Sequence, residues 1–176
     1  MHPDAEKLHD LDIQASLAEE TDKALALSLW RQGRTIAESL FSIPPAERCY
    51  LSGYFCYMLW SRTGEGPEGV ESNFRTCLSL DLEHRFAQYY LGAFYFEAKR
   101  YDDAREVLGV LRATSEGFFT KHGQAWRYAK CLEMLTCVEL LKPRLQNACE
   151  LSNEMERAYW RLEEPESAMP TTLFAT

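Results

Sequence analysis

Residues 90–108 read YLGAFYFEAKRYDDAREVL, and they carry the clearest structural signal in the chain. Apolar and small residues recur at helical spacing in both halves of this stretch. The polar segment between the halves, KRYD, predicts a tight turn. The stretch therefore predicts two short amphipathic helices joined by a turn, which is the unit of a helical repeat. The residues that define the predicted buried faces of the two helices are Leu91, Gly92, Tyr95, Ala104 and Leu108.

This spacing resembles the tetratricopeptide repeat (TPR), whose signature is W-x2-L-G-x2-Y, then A-x3-F, then P, in a unit of roughly 34 residues. Gln88 stands in place of the Trp, Leu108 in place of the Phe and Glu116 in place of the Pro. The resemblance implies that Gly92 and Ala104 are points of close approach between paired helices. The structural repeat positions that it implies are Gly53, Leu91, Gly92, Tyr95, Ala104 and Leu108.

Weaker copies of the pattern precede the central unit, and a helix pair without the Leu-Gly match follows it. Terminal repeats commonly diverge because their outer face must meet water. We therefore expect one TPR-like domain over residues 1–164 and a short tail. Its predicted parts are an N-terminal helical segment at 5–30, repeat-like units at about 22–45, 46–82 and 85–118, a divergent pair at 120–164 and the tail at 165–176.

Glycines give the predicted helix boundaries within these units. Gly33 is interpreted as the end of one helix, with Phe41 facing inward on the next. Gly117 and Gly123 are interpreted as breaks that precede a long helix over residues 125–141.

The fold class follows from the resemblance and from the absence of alternating β-branched runs. It is all-α: a short right-handed α-solenoid, or TPR-like superhelix, of about seven or eight antiparallel helices. In such a solenoid the first helix of each pair lines a concave groove.

The predicted groove positions are mostly aromatic. On the helix that contains Gly53, a separate apolar face with Leu51, Phe55 and Leu59 is also present. A helix that is apolar on two faces is either wholly buried or binds something, and the sequence leaves both open. The predicted partner-binding residues are Tyr50, Tyr54, Tyr57, Met58, Phe86, Tyr89, Phe96 and Glu97.

Composition limits the partners and the location. The 176 residues carry a net charge of −8, which argues against binding to a phosphate backbone. No secretory signal or membrane-spanning run is visible, so we expect a cytoplasmic protein that binds neither nucleic acid nor membrane. The six cysteines include no C-x-x-C pair, and we expect free thiols, no metal and no cofactor.

The function predicted from these observations is a non-catalytic adaptor or chaperone that holds a segment of another protein in the aromatic groove. No catalytic constellation is visible among the four histidines and six cysteines, so we do not expect an enzyme, although a spatially assembled Cys/His site is left open. Two narrower alternatives also fit an acidic helical-repeat protein: a translocator chaperone of type III secretion, and an immunity protein that inhibits a folded toxin. The sequence also leaves a homodimer open.

Overall fold

The computed structural model describes residues 3–141 and 145–162, and within these ranges every regular element is an α-helix. The prediction of an all-α chain with seven or eight helices is confirmed for this part of the chain. The predicted tail at 165–176 lies outside the described residues. The eight helices are α1 Pro3–Ala18, α2 Lys23–Ser39, α3 Pro45–Thr63, α4 Pro67–Leu80, α5 Arg85–Glu97, α6 Tyr101–Lys121, α7 Ala125–Leu141 and α8 Leu145–Leu162.

Local sequence explains several helix ends. Asp22 caps α2, because its side chain accepts a hydrogen bond from the backbone N–H of Leu25 at 2.9 Å. Proline lies in the first turn of α3 and of α4, where no intrahelical N–H donor is needed. Gly64 ends α3 with a left-handed backbone, φ 75°, which glycine adopts without steric cost. These signals fix the starts of α2, α3 and α4 and the end of α3.

Two of the predicted breaks are wrong. α2 runs through Gly33 and α6 runs through Gly117, because one glycine costs a helix interior only about 1 kcal/mol. Gly123 does lie in a turn, with φ 66°, and the helix predicted over residues 125–141 is confirmed. Phe41 follows α2 and is 77% exposed rather than inward-facing, and the Arg48 guanidinium lies 4.6 Å from its ring centroid.

The chain divides into two compact units, and the division falls inside α5, between Tyr90 and Leu91. In the first unit α1 packs on α2, α2 on α3 and α3 on α4. In the second unit α6 packs on α7 and α7 on α8. Helices adjacent in sequence are therefore neighbours in space within each unit. The single domain over residues 1–164 stays a prediction.

Glycines in α3 and α5 allow each of these helices to approach the next helix closely. A Cβ atom added at Gly53 in α3 would lie 2.9 Å from the ring of Phe74 in α4. A Cβ atom added at Gly92 in α5 would lie 2.4 Å from Leu108 in α6. Both distances are shorter than van der Waals contact, so no larger residue fits without movement. Leu108 and its neighbour Ala104 have no exposed surface, and Tyr95 and Leu91 are also buried.

A buried carboxylate joins three helices of the first unit. Asp12 in α1 is 5% exposed and accepts hydrogen bonds from the Tyr54 hydroxyl in α3 at 2.8 Å and from the Trp30 indole in α2 at 3.3 Å. The Arg62 guanidinium lies 4.3 Å from the Trp30 ring centroid and pairs with Glu19 at 2.7 Å. Burial raises the pKa of Asp12, and the two hydrogen bonds only partly offset this effect.

Candidate binding site

Two aromatic residues of the predicted groove, Tyr54 and Phe86, belong to a cluster around a third, Tyr50, in the first unit. Tyr50 is 1% exposed and lies in the second turn of α3, one turn before Gly53 and Tyr54. Rings from α3, α4, α5 and the turn before α5 surround it at centroid distances of 4.6–6.5 Å, a range in which aromatic pairs attract. These rings belong to Tyr54, Phe74, His84, Phe86 and Tyr90.

Four of the eight predicted partner-binding residues have almost no accessible surface. Tyr50 is 1% exposed, Tyr54 4%, Tyr89 6% and Phe86 7%. The sequence left open whether the aromatic stripe is groove or core, and in this structure these four side chains are core. The physical reason is that their rings contact one another and neighbouring rings such as Tyr90, which lies 5.0 Å from Tyr54 and 5.2 Å from Tyr89. A partner cannot reach them without displacing that packing.

The remaining predicted residues of α3 do reach the surface. Tyr57 and Met58 are half-buried, and they lie one turn beyond the buried Tyr54. The Tyr57 ring packs 5.3 Å from Tyr90 and 6.1 Å from Trp60, which is also half-buried. Trp60 was not predicted as a site residue, although its position three residues after Tyr57 places the two side chains on one face.

The last two predicted residues lie in the second unit. Phe96 is half-buried near the end of α5, and its ring lies 6.1 Å from Tyr101 at the start of α6. Glu97 is the final residue of α5 and is exposed. A partner-binding role for these residues, as for Tyr57 and Met58, stays a prediction.

Two histidines, His84 and His122, make contacts that support the local structure. His84 precedes α5, where its Nδ1 accepts a hydrogen bond from the Ala87 N–H at 3.1 Å and its Nε2 lies 3.2 Å from Glu47. His122 ends α6, with Nδ1 2.8 Å from the Phe118 carbonyl oxygen. Within residues 3–141 and 145–162, no group of three or more His, Cys, Asp and Glu side chains is arranged to hold a metal ion.

The cysteines are free thiols and differ in exposure. Cys56, Cys77 and Cys131 are buried, Cys49 and Cys137 are half-buried and Cys149 is exposed. Burial raises the pKa of the Cys131 thiol to about 12 and raises that of Cys77 strongly, so both stay protonated at neutral pH. A protonated, buried thiol is a poor nucleophile and a poor metal ligand.

Comparisons with protein-family models, curated proteins and solved structures were made for the whole chain. None of them gives a match. No helix among the described residues is both long enough and apolar enough to cross a membrane. Inference about function therefore depends on the residues of this chain alone.

Proposed function

We propose that the protein is a non-catalytic protein-binding adaptor or chaperone that holds a partner segment against the half-exposed side of α3. The observation that carries this proposal is the composition of that side. The twelve residues from Cys49 to Trp60 include no charged side chain, and α3 is buried along most of this length. Where it does reach the surface, the helix presents Tyr57, Met58 and Trp60 instead of the charged residues usual on a solvated face.

Those three residue types suit protein recognition. Tyr, Trp and Met are enriched in the cores of protein interfaces, whereas Lys, Glu and Asp are depleted there. The Tyr57 ring is held in place by Tyr90 below it and Trp60 beside it, so little conformational freedom is lost when a partner covers it. An apolar partner side chain would find a surface that is already ordered.

We also propose that the helices form a TPR-like solenoid. Gly53 in α3 and Gly92 in α5 each contact a large apolar side chain of the following helix. The two glycines are 39 residues apart in the sequence, close to the period of roughly 34 that the resemblance implies. The adjacent packing of consecutive helices within each unit is also what a stack of helical hairpins requires.

The experiment compares proteins captured from the native host by the wild type and by a Tyr57→Ala/Met58→Ala double variant, with quantitative mass spectrometry. Leu82→Ala is the matched control, since Leu82 is a 76% exposed apolar residue of the same unit outside α3. We expect a partner that is depleted at least tenfold by the double variant and retained by the control, with unchanged circular dichroism for both. Equal capture of every partner by the double variant would refute the proposed surface. Recovery of a translocator or of a toxin would select one of the narrower alternatives.

A further inference from the structure

A cleft of about 370 Å³ opens in the second unit, where α6, α7 and α8 meet. This volume lies at the lower end of the range found for small-molecule sites, about 300–1,000 Å³. Leu135 of α7 and Leu151 of α8 line it with apolar surface, and both are nearly buried, at 3% and 4% exposed. Charged side chains from all three helices complete the wall.

One part of the cleft wall is a position on α6 that carries no side chain. Gly109 lines the cleft, and a Cβ atom added there would meet no atom within 4 Å. Arg105 and Arg112 lie four residues before and three after it, so all three share one face of the helix. The two arginines are separated by about 10 Å along the helix axis, at about 1.5 Å per residue. They therefore flank an open gap of the length of a small organic molecule.

Carboxylates hold both arginines in place. The Nε atom of Arg105 donates to Glu139 of α7, whose side chain is 4% exposed. Arg112 donates to Glu154 of α8 from Nε at 2.8 Å and from Nη2 at 2.5 Å. The Tyr128 hydroxyl donates to the other oxygen of Glu154 at 2.5 Å. Partial burial acts to raise the pKa of Glu154, but these hydrogen bonds outweigh it and the pKa is lowered.

Donors remain on both guanidinium groups after these bonds are made. Within the part of the chain that the structure describes, the terminal nitrogens of Arg105 and the Nη1 atom of Arg112 make no hydrogen bond. The side chains of Arg105 and Arg112 are 43% and 40% exposed, so a ligand can reach them. A planar guanidinium with two adjacent N–H groups matches a carboxylate.

The part of the wall that α8 supplies carries a carboxylate that can bind a cation. Glu150 of α8 lines the cleft, is exposed and makes no hydrogen bond to any described residue. It is close enough to Arg112 to act on that guanidinium electrostatically. Among the described residues, the charged side chains of the lining are two arginines and two glutamates, so this part of the wall has no net charge. A simple anion gains little from such a wall, and a wholly apolar molecule would leave the guanidinium donors without partners.

We propose that this cleft binds a small zwitterion with an apolar part, such as an aliphatic α-amino acid. Its carboxylate would accept hydrogen bonds from the free N–H groups of Arg105 or Arg112, and its ammonium group would lie against Glu150. Its apolar side chain would lie in the gap beside Gly109, against the small exposed edges of Leu135 and Leu151. This site lies in the second unit, whereas the proposed partner-binding side of α3 lies in the first. The two proposals therefore fail separately.

Isothermal titration calorimetry of the full chain with L-leucine tests the ligand class. N-acetyl-leucine lacks the ammonium group and leucinamide lacks the carboxylate, so each removes one of the two charges that the cleft recognises. We expect saturable binding of leucine and at least tenfold weaker binding of each derivative. No saturable binding of leucine up to about 20 mM, a limit that lies above the millimolar affinities of weak ligands, would overturn the proposal. Equal binding of all three compounds would overturn it as well.

Two variants locate the site. Gly109→Leu fills the gap and should weaken leucine binding at least tenfold. Gly117→Leu is its matched control: Gly117 is an exposed glycine of the same helix with no atom within 4 Å of an added Cβ, and it does not line the cleft. Wild-type affinity in a folded Gly109→Leu protein would overturn the assignment. If that variant does not fold, Glu150→Gln decides, because it should abolish the preference for leucine over N-acetyl-leucine.

Discussion

Replacing Gly92 with alanine adds one methyl group at a close contact between α5 and α6. The new Cβ atom would lie 2.4 Å from Cδ2 and 2.6 Å from Cγ of Leu108. Leu108 has no exposed surface, so its side chain cannot turn into solvent to make room. The helices must separate or the leucine must leave its preferred rotamer. Overpacking of this kind costs about 1–3 kcal/mol.

The same substitution also contributes favourably to the free energy of folding. Alanine is about 0.8–1.0 kcal/mol better than glycine in a helix interior, and this gain offsets part of the clash. We expect Gly92→Ala to lower the free energy of unfolding by a net amount of about 0–2 kcal/mol. Gly117→Ala receives the helix gain without the clash, since no atom lies within 4 Å of its added Cβ. It should raise the free energy of unfolding by about 0.8–1.0 kcal/mol.

The difference between the two variants isolates the close contact. Both residues lie in the second unit, so both report on the same part of the molecule. Urea titrations followed by circular dichroism at the helical minimum give the midpoint and the slope for wild type, Gly92→Ala and Gly117→Ala. We expect Gly92→Ala to be less stable than Gly117→Ala by about 1–3 kcal/mol. Equal stabilisation by both substitutions would show that α5 and α6 do not meet at Gly92.

Two further predictions concern buried ionisable groups. Because burial raises the pKa of Asp12, the folded state binds the carboxyl proton more tightly than the unfolded state does. Wild type should therefore lose stability relative to Asp12→Asn as the pH rises from the unfolded-state pKa near 3.8 through the folded-state pKa. Urea midpoints of both proteins between about pH 3.5 and 7 check this, and a relative gain of wild type with rising pH would contradict it. A colorimetric disulfide reagent at neutral pH should modify the exposed Cys149 at least tenfold faster than the buried Cys77 and Cys131. The rate at each cysteine is measured by mass spectrometry of peptides from partly modified protein. Equal rates in the folded protein would mean that the buried thiols are accessible.

Helix content and some boundaries could be predicted because their signals are local. The apolar run of α7 follows Gly123, and both are readable within a few residues. Gly33 shows where prediction from the local sequence fails. A glycine that ends a helix cannot be distinguished in the sequence from a glycine that lets a neighbouring helix approach. An added Cβ at Gly33 would lie 2.3 Å from the ring of Phe55, and nothing near Gly33 in the sequence indicates that contact.

The aromatic character of α3 could be predicted from the sequence, but the exposure of its side chains could not. The aromatic character of α3 is a local fact, whereas the burial of Tyr50 depends on Phe86 and Tyr90, which are 36 and 40 residues away. Asp12 is a harder case, because a carboxylate on an amphipathic helix looks like part of the solvated face. Its two hydrogen-bond donors are 18 and 42 residues away in the sequence.

The sequence departs from the tetratricopeptide pattern that it resembles at a place that the structure explains. Gln88 stands where the resemblance has a tryptophan, and it is 6% exposed. Its amide donates a hydrogen bond to the Leu82 carbonyl oxygen at 2.9 Å and accepts one from Arg85 at 3.2 Å. A polar side chain is therefore accommodated in a buried position because the turn before α5 supplies its partners. That compensation depends on backbone geometry and cannot be read from the sequence.

The position of Trp30 gives the protein an intrinsic fluorescence probe of its folding. Its indole is 1% exposed, donates to the Asp12 carboxylate and lies under the Arg62 guanidinium, so its emission should differ strongly from that of Trp160, which is 64% exposed. Trp30 and Trp60 belong to the first unit, and Trp126 and Trp160 to the second. Variants that keep only one pair would label one unit each without any dye. Comparing their fluorescence during unfolding would show whether the two units melt in one step or in two.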